Sequence, residues 1–129
     1  MPTLRMAPTL GDLLKYELNG DYCRETVTLK SGTNYAIGSV LGRITASGKY
    51  RLSPATAVTG DEGAESAVAV LIEAVDATSV DKKGLTVARG PVILSKAILA
   101  FDASVNDAGK KAAKHAQLAA AGLVPRDTA

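Results

Sequence analysis

The chain has 129 residues, enough for one domain, and its 15 Lys and Arg residues are spread along the sequence against 13 Asp and Glu residues. Because the cations form no cluster and only 4% of residues are aromatic, the composition argues against a nucleic-acid partner, which is bound through clustered cations and stacked rings. Cys23 is the only cysteine, which excludes an intrachain disulfide, and no run approaches the roughly 20 apolar residues of a membrane span. We therefore expect a soluble protein, synthesised in a cytoplasm and without a membrane partner.

Residues 1–20 are predicted to form a flexible arm ahead of a β-rich domain of residues 21–129. Four residues that interrupt regular structure lie among the few apolar side chains of this segment: Pro2, Pro8, Gly11 and Gly20. The arm is therefore not expected to fold independently.

An alternation of side chains within the arm predicts a short strand. Leu14, Tyr16 and Leu18 alternate with two charged residues, so three apolar side chains would share one face of an added strand. A short helix that begins at Asp12 is the competing prediction, and the sequence does not decide between the two.

Most of the chain after Tyr22 is predicted to be β-structure. The run Ala67–Val75 is almost continuously apolar and short, which is typical of a strand that is buried on both faces at the centre of a core. Gly38 and Gly42 interrupt an earlier apolar run and indicate bulges or close backbone approaches. The polar residues 55–65 are predicted to form a surface loop.

One strong helix is predicted near the C-terminus. Asn106 or Asp107 can cap it, residues 110–121 are good helix formers, and Gly122 suits a left-handed C-terminal cap. Three small side chains share one face and are predicted to pack closely on the sheet: Ala112, Ala116 and Ala119. The predicted fold is a mainly β, barrel-like domain with a flexible N-terminal arm and one C-terminal helix.

The residue types that support catalysis or metal binding are present but not in suitable patterns. Asp61, Glu62 and Glu65 lie in the predicted loop, where no burial is expected to raise their pKa values for acid–base chemistry. His115 has no second His or Cys at ligand spacing. We therefore expect no catalytic, cofactor-binding or metal-binding residue and no small-molecule substrate.

A second hypothesis concerns the segment Asp81-Lys82-Lys83, which is predicted to lie in a turn between β segments. A lysine at such a turn resembles the attachment site of lipoyl or biotinyl carrier domains. A carrier-like domain modified at Lys82 or Lys83 is therefore the alternative function, and a charged, solvated turn explains the same residues.

Several segments resemble the lambda-type head decoration proteins of tailed phages. They are Asp12-Leu-Leu-Lys-Tyr-Glu17, Tyr22-Cys-Arg-Glu-Thr-Val-Thr-Leu29, Ser31-Gly32, Gly38-Ser-Val-Leu-Gly-Arg-Ile-Thr45, Val70 to Val75, Val87-Ala-Arg-Gly-Pro91, and the Ala-rich helix that leads to Gly122-Leu123. Their order and spacing carry the resemblance, which covers most of the chain from Asp12 onward.

This resemblance implies a β-clip-like fold and a non-enzymatic structural protein. It implies a homotrimer at the local threefold positions of the outer capsid surface, where the protein would stabilise the expanded shell. It also implies that the arm becomes ordered by pairing with the major capsid protein, and Leu14, Tyr16 and Leu18 are the contacts we predict. The alternative for residues 1–20 is a tail without a role.

Overall fold

The computed structural model of the protein describes residues 13–17 and 23–126. The fold is mainly β, with 40% strand and 17% helical residues in the described part of the chain, as the sequence predicts. The strands in the described residues are β1 Leu14–Glu17, β2 Arg24–Leu29, β3 Thr33–Tyr35, β4 Val40–Arg43, β5 Tyr50–Leu52, β6 Ala67–Leu71, β7 Val75–Ala77, β8 Lys82–Val87, β9 Val92–Ser95 and β10 Leu123–Arg126. A 3-10 turn spans Lys96–Ile98, and helix α1 spans Ala108–Ala120.

Five strands close into a barrel in the order β2-β5-β4-β6-β8. The neighbours β2 and β8 pair along six residues, from Arg24 opposite Val87 to Leu29 opposite Lys82. The barrel closes between β2 and β5, which run parallel and share the single pair Leu29 and Tyr50. This closing contact is the weakest part of the barrel, because few backbone hydrogen bonds cross it.

Two smaller sheets accompany the barrel. In the first, β9 lies between β1 and β10, antiparallel to β1 and parallel to β10. In the second, β3 pairs with β7.

Strand β6 lies at the centre of the core. It pairs with β4 on one side and β8 on the other, and all its residues except Val68 are buried. Ala69 and Leu71 pack in one apolar cluster with side chains of β2 and β4, whereas Val70 packs in a second cluster with Leu118 of α1. The prediction of a strand buried on both faces is therefore confirmed for Ala67–Leu71. Val75, the end of the predicted run, lies in the separate strand β7.

Gly42 in β4 allows a close backbone approach. A Cβ atom at this position would lie 1.9 Å from the carbonyl oxygen of Ala64, far inside van der Waals contact. The loop before β6 therefore packs directly on the β4 backbone, as the internal glycines predict.

Helix α1 begins and ends at the predicted caps. The Asp107 carboxylate accepts a hydrogen bond from the Lys110 amide at 2.8 Å, which satisfies a free donor of the first turn. Gly122 adopts φ +86° directly after the helix, and its amide donates to the carbonyl of Ala119. Both caps are typical of a helix that ends sharply.

The prediction of which face α1 buries is wrong. The residues predicted to face the sheet are exposed: Ala112, Ala116 and Ala119. The buried side chains are Lys114 and Leu118, which lie four residues apart on one face. Leucine removes more apolar area from water than alanine, and the Lys114 ammonium has hydrogen-bond acceptors in the interior.

Replacing Gly42 by alanine is expected to destabilise the fold by about 1–3 kcal/mol, because the new methyl group has no space beside Ala64. Gly109 in the first turn of α1 is the control, since its added Cβ would meet nothing closer than 3.4 Å. Gly109→Ala should raise stability by about 0.5 kcal/mol through helix propensity. Thermal unfolding measures the difference in stability between the two variants. Equal melting temperatures for Gly42→Ala and Gly109→Ala would contradict the prediction.

Candidate functional site

Within the predicted arm, Leu14–Glu17 forms an edge strand of the protein's own sheet. Leu14 pairs with Leu94, Tyr16 with Ile93 and Glu17 with Val92. Of the two predictions for this segment, the strand is confirmed over Leu14–Glu17. Asp12, where the competing helix would begin, lies outside the described residues. The sequence could not indicate the partner, because β9 lies far along the chain.

Strand β1 is fixed to the domain at both ends. Leu13, just before it, is fully buried in the apolar cluster that also contains Leu94. At the other end, the Arg24 guanidinium donates to the Glu17 carboxylate through Nε at 3.1 Å and Nη2 at 2.6 Å. The hydrogen bond to Glu17 raises the pKa of Arg24. A two-pronged contact of this kind orients the strand as well as holding it.

The three predicted capsid contacts differ in how the structure describes them. Leu14 is half-buried and packs against the apolar cluster of its own chain. The Tyr16 backbone lies in the same strand. Leu18 lies outside the described residues.

The two edges of the three-stranded sheet differ. Within residues 13–17 and 23–126, no strand pairs with the outer edge of β1. The opposite edge strand, β10, contains Pro125, which has no amide hydrogen to donate to a further strand. Backbone pairing with a partner is therefore easier at β1.

Both ends of the described chain leave the sheet at the same end. Leu14 lies opposite Leu94, and Arg126 lies opposite the next residue, Ser95. Since β1 and β10 flank β9, their ends are two strand spacings apart, about 10 Å.

A network of charges crosses the barrel closure. The Asp61 carboxylate accepts from Lys30 Nζ at 2.7 Å and from Arg51 Nη1 at 2.7 Å. Arg51 also donates to Asp102 at 3.2 Å. Lys30 follows β2 and Arg51 lies in β5, so Asp61 joins the two strands that share a single residue pair.

Asp61 differs from the expectation of a solvated carboxylate, since only 6% of the residue is exposed. The hydrogen bond from Lys30 is the main reason that its pKa is lowered, and the contact with Arg51 acts in the same direction. The polar composition of the loop predicted that Asp61 is exposed to solvent. Composition does not reveal that Lys30 and Arg51, from other segments, lie opposite this carboxylate.

A shallow polar cavity of about 130 Å³ adjoins this network. Its lining includes Lys30, Tyr35, Arg51 and Asp102. Because Lys30 and Arg51 already face carboxylates of the same chain, the cavity offers an incoming anion no uncompensated charge.

The geometry at Lys82 and Lys83 does not match an attachment turn. Both residues lie in β8, where they pair with Leu29 and Thr28 of β2. The prediction that they occupy a turn is wrong, because the ladder with β2 begins at Lys82. Both side chains are exposed.

Groups that could support other functions are sparse in the described part of the chain. His115 packs beside Phe101, with ring centroids 5.8 Å apart, and no cluster of three potential metal ligands occurs among those residues. No helix within them is long and apolar enough to cross a bilayer.

The model of the family described as bacteriophage lambda head decoration protein D matches residues 3–123. The chain belongs to this family. No curated protein sequence matches the chain. Membership confirms the resemblance carried by the strand and glycine segments, and it indicates a phage capsid decoration role for a structural protein of the virion.

Asp61→Asn is expected to lower the free energy of unfolding at neutral pH by about 2 kcal/mol, since two cations lose a charged acceptor. The folded pKa of Asp61 lies below its ordinary value of about 3.9. The contribution of Asp61 to the free energy of unfolding is therefore complete above its ordinary pKa. This contribution is lost as the pH falls through the lower pKa of the folded state. Urea unfolding of both proteins should show a gap at pH 7 that narrows below about pH 4.

The difference between the two proteins isolates Asp61 from other carboxylates whose pKa values are also lowered by hydrogen bonds, such as Asp76 and Asp81. A gap of constant size from neutral to acidic pH would show that the charge of Asp61 does not hold the barrel closed.

Proposed function

We propose that the protein binds the outer surface of the phage head as a homotrimer at local threefold sites and stabilises the expanded shell. Residues 1–20 act as the capsid-binding arm, with the major capsid protein as partner. Family membership supports the decoration role, and the observation that carries the mode of attachment is the open outer edge of β1.

An open strand edge offers a row of backbone donors and acceptors to an extended segment of a neighbour. In β1 this row is held rigid, because Leu13 is buried before it and Glu17 is bound by Arg24 after it. A rigid edge loses little conformational entropy when a strand of the major capsid protein adds to it. In this proposal β1 stays on its own sheet while the coat protein extends that sheet.

The positions of Leu14 and Arg126 support the proposal that a single side of the protein faces the capsid. Strand β1 begins at the same end of the sheet at which β10 ends. Contacts made by the first residues and by the β1 edge can therefore meet the same coat surface.

In a trimer, three attachments that are individually weak are sufficient for firm binding to the capsid. Once one arm of a trimer is bound, the other two search a small volume, so their effective concentration is high. Three modest strand contacts then hold several coat subunits together against the pressure of the packaged genome.

Removing residues 1–12 tests the arm without removing β1 or Leu13. The shortened protein should keep the melting temperature of the full chain and should bind expanded shells at least about tenfold more weakly, because each arm loses part of its contact. Sedimentation with shells measures the affinity, and cryo-microscopy of decorated shells locates the density at the threefold positions. A protein lacking residues 127–129 is the control.

Undiminished binding of the shortened protein would refute the role of the first 12 residues. Deleting all of residues 1–20 is a poorer test, because it also removes β1 and a buried leucine of the core.

Single substitutions test the predicted contacts. Tyr16→Ala and Leu18→Ala should weaken shell binding by about tenfold each, as expected when an anchoring side chain at an interface is truncated. Leu14→Ala should also reduce stability by about 1–2 kcal/mol, because Leu14 packs on its own core. Val80→Ala, at a valine that is 56% exposed between β7 and β8, is the matched control.

Binding affinity and melting temperature are measured for all four variants. If Tyr16→Ala and Leu18→Ala bind as tightly as Val80→Ala, these side chains are not capsid contacts.

A further inference from the structure

Lys114 in helix α1 has a buried ammonium group. The residue is only 2% exposed, although lysine is among the residues least often fully buried. Burial lowers the pKa of Lys114, while Glu65 and Asp102 act to raise it. A side chain that is costly to bury therefore occupies the helix face that contacts the body.

Three acceptors of the body surround the Lys114 nitrogen. Nζ donates to the hydroxyl of Ser53 at 2.9 Å, to the carbonyl of Pro54 at 2.7 Å and to the carbonyl of Glu65 at 2.6 Å. An ammonium group has three hydrogens, and the number of close acceptors matches it. None of these three atoms belongs to a carboxylate, so the contact is set by hydrogen bonding rather than by an ion pair.

These acceptors lie at both ends of one loop. Ser53 and Pro54 follow β5, and Glu65 precedes β6. The Ser53 hydroxyl also donates to the carbonyl of Ala64 at 2.7 Å, which draws the two ends together. The neck of loop 54–65 is thus closed around the Lys114 ammonium.

A further contact from α1 reinforces the neck. The side-chain oxygen of Gln117 accepts from the Ala67 amide at 2.8 Å and lies 3.5 Å from the Lys114 nitrogen. Loop 54–65 also carries Asp61, which joins Lys30 to Arg51 across the barrel closure. Helix, loop and barrel closure are therefore connected by consecutive contacts.

We propose that Lys114 makes helix α1 and loop 54–65 a single conformational unit, a strap across the barrel closure that opens and closes as one piece. When the helix leaves the body, the neck acceptors lose their donor, the loop is released and Asp61 separates from its cations. Conversely, the loop stays in place only while the helix is docked.

The contacts favour opening of this unit ahead of the rest of the barrel. Helix α1 buries only Lys114 and Leu118, whereas β6 and β8 are held by ladders with their neighbours. Segments with few buried contacts open at lower free energy than the central strands.

Native-state hydrogen exchange of the unaltered protein tests the proposal directly. The amides of Asp61 and Ala64 in the loop and of Lys111 and Leu118 in the helix should share one opening free energy and one denaturant dependence. The amide of Leu71 in β6 should open at a higher free energy. Loop amides that open independently of the helix, or a helix that opens while the loop stays protected, would overturn the proposal.

Lys114→Met removes the ammonium group and keeps most of the side-chain volume. Exchange of the Asp61 and Ala64 amides should become at least about tenfold faster, because the neck acceptors are left without a donor. Lys110→Met changes an exposed lysine of the same helix and is the matched control. Loop exchange that is equal in the two variants would also overturn the proposal. If Lys114→Met does not fold, the measurement on the unaltered protein decides.

Discussion

The closed barrel depends on the two ion pairs that the Asp61 carboxylate makes with Lys30 and Arg51. Strands β2 and β5 share only the pair Leu29 and Tyr50, too few backbone contacts to close a sheet securely. Asp61 compensates by holding Lys30 beside one strand and Arg51 within the other. The carboxylate is itself placed by a loop whose ends are fixed to helix α1. A β-barrel closure is thus reinforced by a carboxylate from a loop outside the sheet.

Local pattern was sufficient to predict the parts of the fold that depend on neighbouring residues. The apolar run at β6, the close approach at Gly42 and the caps of α1 each follow from a few consecutive positions. The buried face of α1 could not be predicted in this way. Helical periodicity assigns a lysine to solvent, and only the acceptors at Ser53, Pro54 and Glu65 explain why Lys114 is buried.

The candidate site was predictable to a similar extent. Alternating apolar residues correctly indicated a strand at Leu14 and Tyr16, but its partner β9 is remote in sequence. Partners that are remote in sequence also explain two wrong predictions. The cations that bury Asp61 come from two other segments. Lys82 pairs with β2 where a turn was predicted. Family membership supplied the biological role, and the structure shows that no strand of the described residues pairs with the outer edge of β1.

The arrangement of β1 and β10 on either side of β9 nearly makes the polypeptide a ring. Leu14 and Arg126 stand beside adjacent residues of one strand, at a separation that a short peptide spans. A circularly permuted chain joined at this point would therefore keep the three-stranded sheet intact. Such a molecule would begin and end at the exposed turn near Val80, and its leading segment would become a tethered loop with less freedom to lose on binding.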